Sequence, residues 1–206
     1  MKITVEQPRL SAALALLGQI LDAKAAQPIL AHVRVEGMHD QIILTSHSLD
    51  RCLSVTIPAE VAGDENACVP LVQLASIVQN SAKGSTVVME IEPTRAVIKI
   101  GRGRYQLPVT PADDFPLMFA PEGEPLEISS GDFLDLMDGA SYAMAVDDIT
   151  RPTLCGVHLY RKGNLIAAMG ANGKILAQHN EPMVPGQVFT GDIVIPSASI
   201  ATLKKF

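Results

Sequence analysis

Apolar residues recur at helical spacing in two segments of the chain, 8–21 and 131–146, and predict an amphipathic helix in each. In the first segment the apolar face comprises Leu10, Ala13, Leu14, Leu17 and Leu21. In the second segment it comprises Phe133, Leu136, Met137, Ala140 and Met144. Pro8 suits the first turn of the first helix, and Ser129 and Ser130 are candidate N-caps of the second.

Short segments rich in β-branched or aromatic residues predict β-strands at 42–46, 86–92, 96–100 and 105–109. Residues 93–95 are few enough to form a hairpin turn, so we expect the strands to pair mostly antiparallel. Helices combined with antiparallel strands indicate the α+β class.

The chain repeats itself with a period of about 124 residues. Residues 27–53 align without a gap with residues 151–177, so that Pro28 falls on Pro152. Residues 68–80 then align with residues 194–206 at a slightly larger offset. Each copy is predicted to contain a strand, an amphipathic helix, several strands and a second helix that opens with Val-Pro or Ile-Pro.

The repeat predicts two α+β domains, a complete one at 1–118 and an incomplete one at 126–206. The segment 119–125 is rich in proline, glycine and glutamate and is the predicted linker. The second copy lacks counterparts of the strands in 81–116, so its sheet would carry unpaired edges. Either the sequence is a fragment of a longer chain, or another segment completes that sheet.

The net charge, the N-terminus and the cysteines indicate what the protein can bind and in which compartment it acts. The formal net charge is −6, so any binding to nucleic acid requires a local basic surface. The N-terminus, MKITVEQ, lacks the basic and then apolar pattern of a secretory signal, and we expect a cytoplasmic protein. The cysteines are odd in number and far apart, and we expect reduced core thiols at Cys52, Cys68 and Cys155.

The sequence motifs favour no catalytic chemistry. Residues 101–104, Gly-Arg-Gly-Arg, lack phosphate-loop spacing and precede a predicted strand, and GANGKI at 170–175 lacks two required residues of a P-loop. Asp113 and Asp114, beside Pro116, are typical of a solvated turn. We expect no metal site or cofactor, because no metal-binding spacing joins the histidines, which are His32, His39, His47, His158 and His179.

Residues 101–109 are instead predicted to form a strand entered through a Gly-Arg turn, followed by Phe115 in the domain core. The stretch IGRGRYQLPVTPADDFP (100–116) resembles the end of the first domain in the bacterial sliding clamp family, the beta subunit of DNA polymerase III. MKITVEQ, QPIL, CVPLVQLASIVQN, RPTLCGVHLY and IVIPSASIATLKKF resemble further segments of that family in the same order. The resemblance covers essentially the whole chain. It implies a DNA-clamp fold, with repeated domains that each pack two helices on antiparallel sheet.

The resemblance also implies a function. Members of the family carry three such domains per chain, and two chains close into a homo-oligomeric ring around duplex DNA. The ring is a processivity factor, not an enzyme, and it tethers the replicative DNA polymerase. Polymerase and clamp-loader subunits bind it through short peptide motifs. The alternative is a clamp-fold scaffold that binds proteins and no longer encircles DNA.

The resemblance further implies that basic residues on the helices face the DNA. The candidates are Arg9, Lys24, Lys83, Arg151, Lys204 and Lys205. An ordinary solvated position is the alternative role for each lysine. Asp132, Asp135 and Asp138 fall on one face of the third helix, and this face would repel phosphate if it pointed towards the DNA.

The family's peptide pocket is formed in part by a Thr-Asp-Gly-His-Arg-Leu turn. In this chain the implied pocket residues are Leu154, Ala171, Gly173, Lys174, Ile175 and Leu176. The family's threonine, histidine and arginine are replaced, so the choice of partner can differ from that of an ordinary clamp. Core packing is the alternative role for Leu154 and Leu176.

Overall fold

The computed structural model describes residues 1–21, 27–48, 51–63, 65–116, 126–187 and 189–204. The chain divides into two compact units, Met1–Phe119 and Ala120–Phe206. The predicted linker, 119–125, lies outside the described residues. Among the described ranges, no helix has both the length and the apolar character needed to cross a membrane.

The first unit contains two helices and ten strands within its described residues. The helices are α1 (Gln7–Leu17) and α2 (Leu71–Gln79). The strands are β1 (Lys2–Glu6), β2 (His32–Met38), β3 (Gln41–His47), β4 (Cys52–Pro58), β5 (Glu60–Ala62), β6 (Asn66–Pro70), β7 (Thr86–Ile91), β8 (Arg95–Ile100), β9 (Gly103–Pro108) and β10 (Thr110–Pro111). Short 3₁₀ turns lie at Pro28–Ala31 and Ala112–Asp114.

The described part of the second unit contains two helices, α3 (Ser130–Ser141) and α4 (Ser197–Leu203). Its strands are β11 (Gly156–Lys162), β12 (Leu165–Ala171), β13 (Leu176–Pro182) and β14 (Asp192–Pro196). A 3₁₀ turn at Pro152–Cys155 precedes β11, as the turn at Pro28–Ala31 precedes β2.

The sheets are antiparallel. The described part of the first unit has two five-stranded sheets, with strand orders β5-β1-β7-β8-β9 and β10-β6-β2-β3-β4. The described part of the second unit has one four-stranded sheet, with the order β13-β12-β11-β14. β10 therefore covers the outer edge of β6, whereas β14, the counterpart of β6, is an edge strand among the residues described.

The sequence repeat is preserved in the strand registers. Arg34 pairs with Thr45 between β2 and β3, and His158 pairs with Met169 between β11 and β12. All four positions obey the repeat of 124 residues. The two copies therefore share backbone geometry as well as residue pattern.

Two predicted helices end earlier than their apolar pattern suggested. α1 ends at Leu17 and not at residue 21, because Gln19 and Ile20 donate their backbone N–H groups three residues back, to Leu16 and Leu17. α3 ends at Ser141 and not at residue 146, and Ala143 and Met144 likewise form i−3 bonds. In both cases the chain continues in a tighter i→i−3 turn, in which Ile20 and Ala143 are buried while the expected Leu21 and Met144 are half-buried.

Each unit has its own apolar core. In the first unit, the inner faces of both sheets pack on α1 and α2 through residues that include Ile3, Leu10, Leu14, Val33, Leu44, Leu74 and Ile98. In the second unit, the core comprises residues that include Leu136, Met137, Ala140, Leu159, Ile166 and Ile200. The predicted helix faces supply Leu10, Leu14, Leu136, Met137 and Ala140, and the predicted strands supply Leu44 and Ile98.

The predicted Gly-Arg turn and strand at 101–109 are confirmed. Gly101 has φ of +56°, β9 follows it, and Phe115 is buried with 4% of its surface exposed, edge-on to the His47 ring. The prediction for Cys52 is wrong: this free thiol is exposed on β4, while Cys68 is buried and Cys155 is half-buried. β4 is the last strand of its sheet, and the Cys52 side chain points away from the core.

Candidate functional site

The outward surface formed by α1 and α2 is mostly neutral. Its exposed side chains are Pro8, Arg9, Ala12, Ala15, Val72, Gln73, Ser76 and Gln79. Arg9 is the one cation among these exposed residues, and its Nε donates to Glu6 Oε2 at 2.8 Å. The predicted candidate Lys24 lies outside the described residues. Lys83 is exposed in the loop after α2, and no ion pair within the described residues involves it.

The helices of the second unit pair a cation with an acid of the other helix. Lys204, which caps the C-terminus of α4, donates through Nζ to Asp138 Oδ1 of α3 and lies 3.4 Å from Ser141 Oγ. Lys205 lies outside the described residues. This interhelical bond neutralises one of the two predicted cations at the end of α4.

The contact between Lys204 and Asp138 also reduces the negative charge of the acidic face on α3. Ser129 Oγ, the N-cap, accepts a hydrogen bond from the Asp132 backbone N–H at 3.0 Å, and an acidic side chain in the first turn complements the helix dipole. Asp138 is neutralised by Lys204. Asp135 remains exposed, and no ion pair in the described part of the chain involves it.

Arg151 lies in a tightly bonded loop between α3 and the 3₁₀ turn that precedes β11. Asp148 Oδ1 accepts from Thr150 Oγ1 at 2.6 Å and from the backbone N–H groups of Thr150 and Arg151 at 3.0 Å. Asp148 Oδ2 accepts from the Arg151 guanidinium at 2.8 Å. The Thr150 hydroxyl, and then Arg151, lower the pKa of Asp148 to about 2. The loop is therefore held by an ionised carboxylate.

The turn predicted to form part of a peptide pocket joins β12 to β13. Asn172 Oδ1 accepts hydrogen bonds from the backbone N–H groups of Lys174 and Ile175, at 3.0 and 3.1 Å. Gly173 adopts φ of +87°, a left-handed conformation that L side chains adopt with strain. The side chains that follow Gly173 therefore project from a preformed turn.

The structure brings Arg151 and Gly173 together and leaves apolar side chains exposed beside them. Leu176 is 65% exposed and Ile175 is 50% exposed, so core packing does not account for Leu176. Leu154 is half-buried in the 3₁₀ turn, and its backbone N–H donates to the carbonyl of Arg151 at 3.0 Å. Ala171 ends β12 and pairs with Leu176. That these residues form part of a peptide site stays a prediction.

Sequence reasoning missed the acids that pair with the candidate cations. Glu6 and Arg9 are three residues apart, as are Asp148 and Arg151, so the spacing of these two pairs was available as a signal. Asp138 and Lys204 are 66 residues apart, and no local pattern links them. The loop residue Ile149, which is 94% exposed, was also missed.

Two curated proteins that are similar to this chain are bacterial sliding clamps. The curated "Beta sliding clamp" of Caulobacter vibrioides is 26% identical over 212 residues, which covers 100% of this chain and 57% of the relative. That of Synechococcus elongatus is 25% identical and is covered to 56% of its length. The chain thus spans about half the length of the curated relatives it matches.

Solved structures agree on the fold. The DNA polymerase III subunit beta from Pseudomonas aeruginosa superposes with a TM-score of 0.92 at 24% identity, over 100% of this chain and 56% of that one. Caulobacter crescentus pol III beta does so with a TM-score of 0.92 at 25% identity, over the same shares. The family model for the DNA polymerase III beta subunit, N-terminal domain, matches residues 1–119, more than half of the chain. The chain therefore belongs to the DNA polymerase III beta subunit family.

Proposed function

We propose that this protein is a sliding-clamp processivity factor that acts in the cytoplasm, encircles duplex DNA and tethers a replicative DNA polymerase. The single observation that carries the proposal is the repeated clamp unit, with its registers preserved at an offset of 124 residues. Repeated units of this kind, each presenting a pair of helices, suit a ring whose helices line a central opening.

Enclosure explains how such a protein holds DNA without reading sequence. A closed ring is retained by topology, so it needs only weak attraction to phosphate and can slide. A polymerase that docks on the ring stays at high effective concentration near the primer end. In this role the chain supplies binding and position, and it requires neither a catalytic group nor a cofactor.

Ring closure requires a second copy of the chain, and β9 is a suitable edge for pairing. Among the described residues, β9 is the last strand of its sheet, and it carries the exposed side chains of Arg104 and Tyr105. An edge strand offers unpaired backbone N–H and C=O groups to a neighbouring chain. A head-to-tail contact through such an edge generates a ring when the rotation closes.

The turn between β12 and β13 is the proposed contact for polymerase and clamp-loader peptides. Ile175 and Leu176 offer apolar surface, and Gly173 and Asn172 fix the backbone that presents it. A bulky apolar residue of the peptide would bury this surface, which is the usual source of affinity in such contacts. Lys174 stands where the family has histidine, so a partner with an acidic residue at this point is favoured over the family's usual partner.

A primer-extension assay tests the proposed function. The full-length protein, a clamp loader and the cognate polymerase are added to a singly primed circular template under conditions that allow one binding event per polymerase. The proposal predicts extension products many times longer with the protein than without it. Products of equal length in both reactions contradict it, and a protein that still captures polymerase peptides would then act as a scaffold.

A further inference from the structure

We infer that the cations this chain presents to DNA are masked by its own carboxylates, so that DNA phosphate must displace an acid before it gains a contact. The inference rests on the proposed function. It concerns three ion pairs, one in the first unit with Arg9 and two in the second unit with Arg151 and Lys204, and it predicts that each of these cations is charge-compensated at rest.

The geometry supplies a carboxylate for each of these cations. Glu6 Oε2 lies 2.8 Å from Arg9 Nε, and Asp148 Oδ2 lies 2.8 Å from Arg151 Nη2. Asp138 Oδ1 accepts from Lys204 Nζ. Among the candidate cations that the structure describes, Lys83 alone has no such acid partner.

The exposed residues of the neighbouring helices α2 and α4 add no further positive charge to that of the paired cations. The exposed residues of α2 are Val72, Gln73, Ser76 and Gln79, and those of α4 are Ala198, Ala201 and Leu203. A neutral surface cannot release counterions from DNA, and counterion release is the main source of non-specific affinity. Within each unit, the paired cations are therefore the ones whose state decides how strongly that unit attracts phosphate.

The three ion pairs differ in the exposure of the acid and in how many other hydrogen bonds hold its carboxylate in place. Asp148 accepts hydrogen bonds from Thr150 and from the Arg151 backbone besides the guanidinium, so its position does not depend on the ion pair. Asp138 is 68% exposed, and no further hydrogen bond to its carboxylate occurs in the described part of the chain. Glu6 is as exposed as Asp138, at 68%, so Arg9 and Lys204 are each paired with a single exposed carboxylate. Lys204 is chosen for the test because Asp135 provides a matched control on the same helix as Asp138.

The test compares Asp138→Asn with Asp135→Asn in the full chain. Both substitutions remove one negative charge from α3, and they lie three residues apart, but only Asp138 holds Lys204. Binding to a short linear duplex is measured by fluorescence anisotropy at several salt concentrations. A linear duplex removes the contribution of enclosure, so the readout is phosphate attraction alone.

We expect Asp138→Asn to bind more tightly than Asp135→Asn at low salt and to show a steeper salt dependence. One added phosphate contact raises the slope of log affinity against log salt by about 0.9, which is about 3.5-fold over a fourfold change in salt. The double variant Asp138→Asn with Lys204→Gln should lose this gain. Circular dichroism and thermal unfolding confirm that each variant is folded.

Equal gains in the two single variants would overturn the inference, because net charge alone would then explain them. A gain that survives in the double variant would overturn it as well. Failure of the proposed function has a different signature, namely no effect of the protein on product length in primer extension. The anisotropy comparison does not depend on that result.

Discussion

The guanidinium of Arg151 lies against the backbone of Gly173, where an added Cβ atom would come within 3.0 Å of Nη1. This contact ties the loop that follows α3 to the turn between β12 and β13. Asp148 holds Arg151 from its other side, so the side chain is fixed between a carboxylate and a glycine. The apolar residues Ile175 and Leu176 follow directly from this anchored turn.

We predict that Gly173→Ala lowers stability and weakens peptide binding. The left-handed φ of +87° costs a residue with a Cβ about 1–2 kcal/mol, and the new methyl group also pushes Arg151 aside. Gly163→Ala is the matched control, because Gly163 has φ of +65° and no atom of the described residues lies within 4 Å of its added Cβ. Urea unfolding should show a larger loss for Gly173→Ala. Equal losses would mean that the contact with Arg151 contributes nothing.

The carboxyl group of Asp148 should titrate far below its ordinary range. Its pKa is lowered to about 2, first by the Thr150 hydroxyl and then by Arg151. Because the folded-state pKa is depressed, the stabilisation of the loop is fully present above the ordinary value of 3.8 and is lost as pH falls towards about 2. A carboxyl carbon NMR titration measures this midpoint directly.

Thr150→Val is the informative variant for that titration. It removes the hydroxyl that contributes most to the shift and keeps a β-branched side chain of similar size. The midpoint of Asp148 should then move up towards 3.8. An unchanged midpoint would show that the Thr150 hydroxyl does not hold the carboxylate.

Leu176→Ala should reduce affinity for a short peptide with Leu and Phe anchors by about tenfold or more, as expected for a central apolar contact. Because Leu176 is largely exposed, the free energy of unfolding should change little. Leu165→Ala provides the control, since Leu165 is an exposed leucine at the other end of the β12–β13 hairpin. Isothermal titration calorimetry compares the two. If both variants bind as the original chain does, this turn is not the peptide contact.

Gly170→Ala should destabilise the second unit severely. An added Cβ at Gly170 would lie 2.1 Å from the carbonyl oxygen of Ala140, so α3 would have to move away from β12. Overpacking of this kind costs about 1–3 kcal/mol or more. Gly131→Ala lies in the first turn of α3, where Ser129 Oγ, at 3.8 Å, is the one described atom near the added Cβ, and it should leave stability unchanged or slightly raised. Similar melting temperatures for the two variants would contradict this account of the packing.

Much of the fold could be predicted because its strongest signals are local. β-branched runs identified strands such as β7 and β8, and the offset between Pro28 and Pro152 reappears in the paired registers. The ends of α1 and α3 could not be predicted from apolar spacing, because apolar residues continue beyond each end and some of them, Ile20 and Ala143, are buried by a tighter turn.

The candidate site was less accessible to sequence reasoning. Lys204 has an acid partner 66 residues away, and only the packing of α4 beside α3 brings Asp138 to it. The exposure of Leu176 was equally hidden, since a leucine at the start of a strand is as compatible with a core as with a surface. Resemblance to a family indicates the sequence positions of candidate site residues. It does not indicate which neighbouring side chains neutralise their charge or leave them exposed.

The central claim, enclosure of DNA, is tested most directly by retention on a circle that is then cut. The full-length protein is loaded onto a nicked circular plasmid, free protein is removed by gel filtration at high salt, and a restriction enzyme linearises half of the sample. A protein that encloses DNA stays with the circle and leaves the linear DNA by sliding off its ends. Equal retention on circular and linear DNA, or no retention on either, would contradict it.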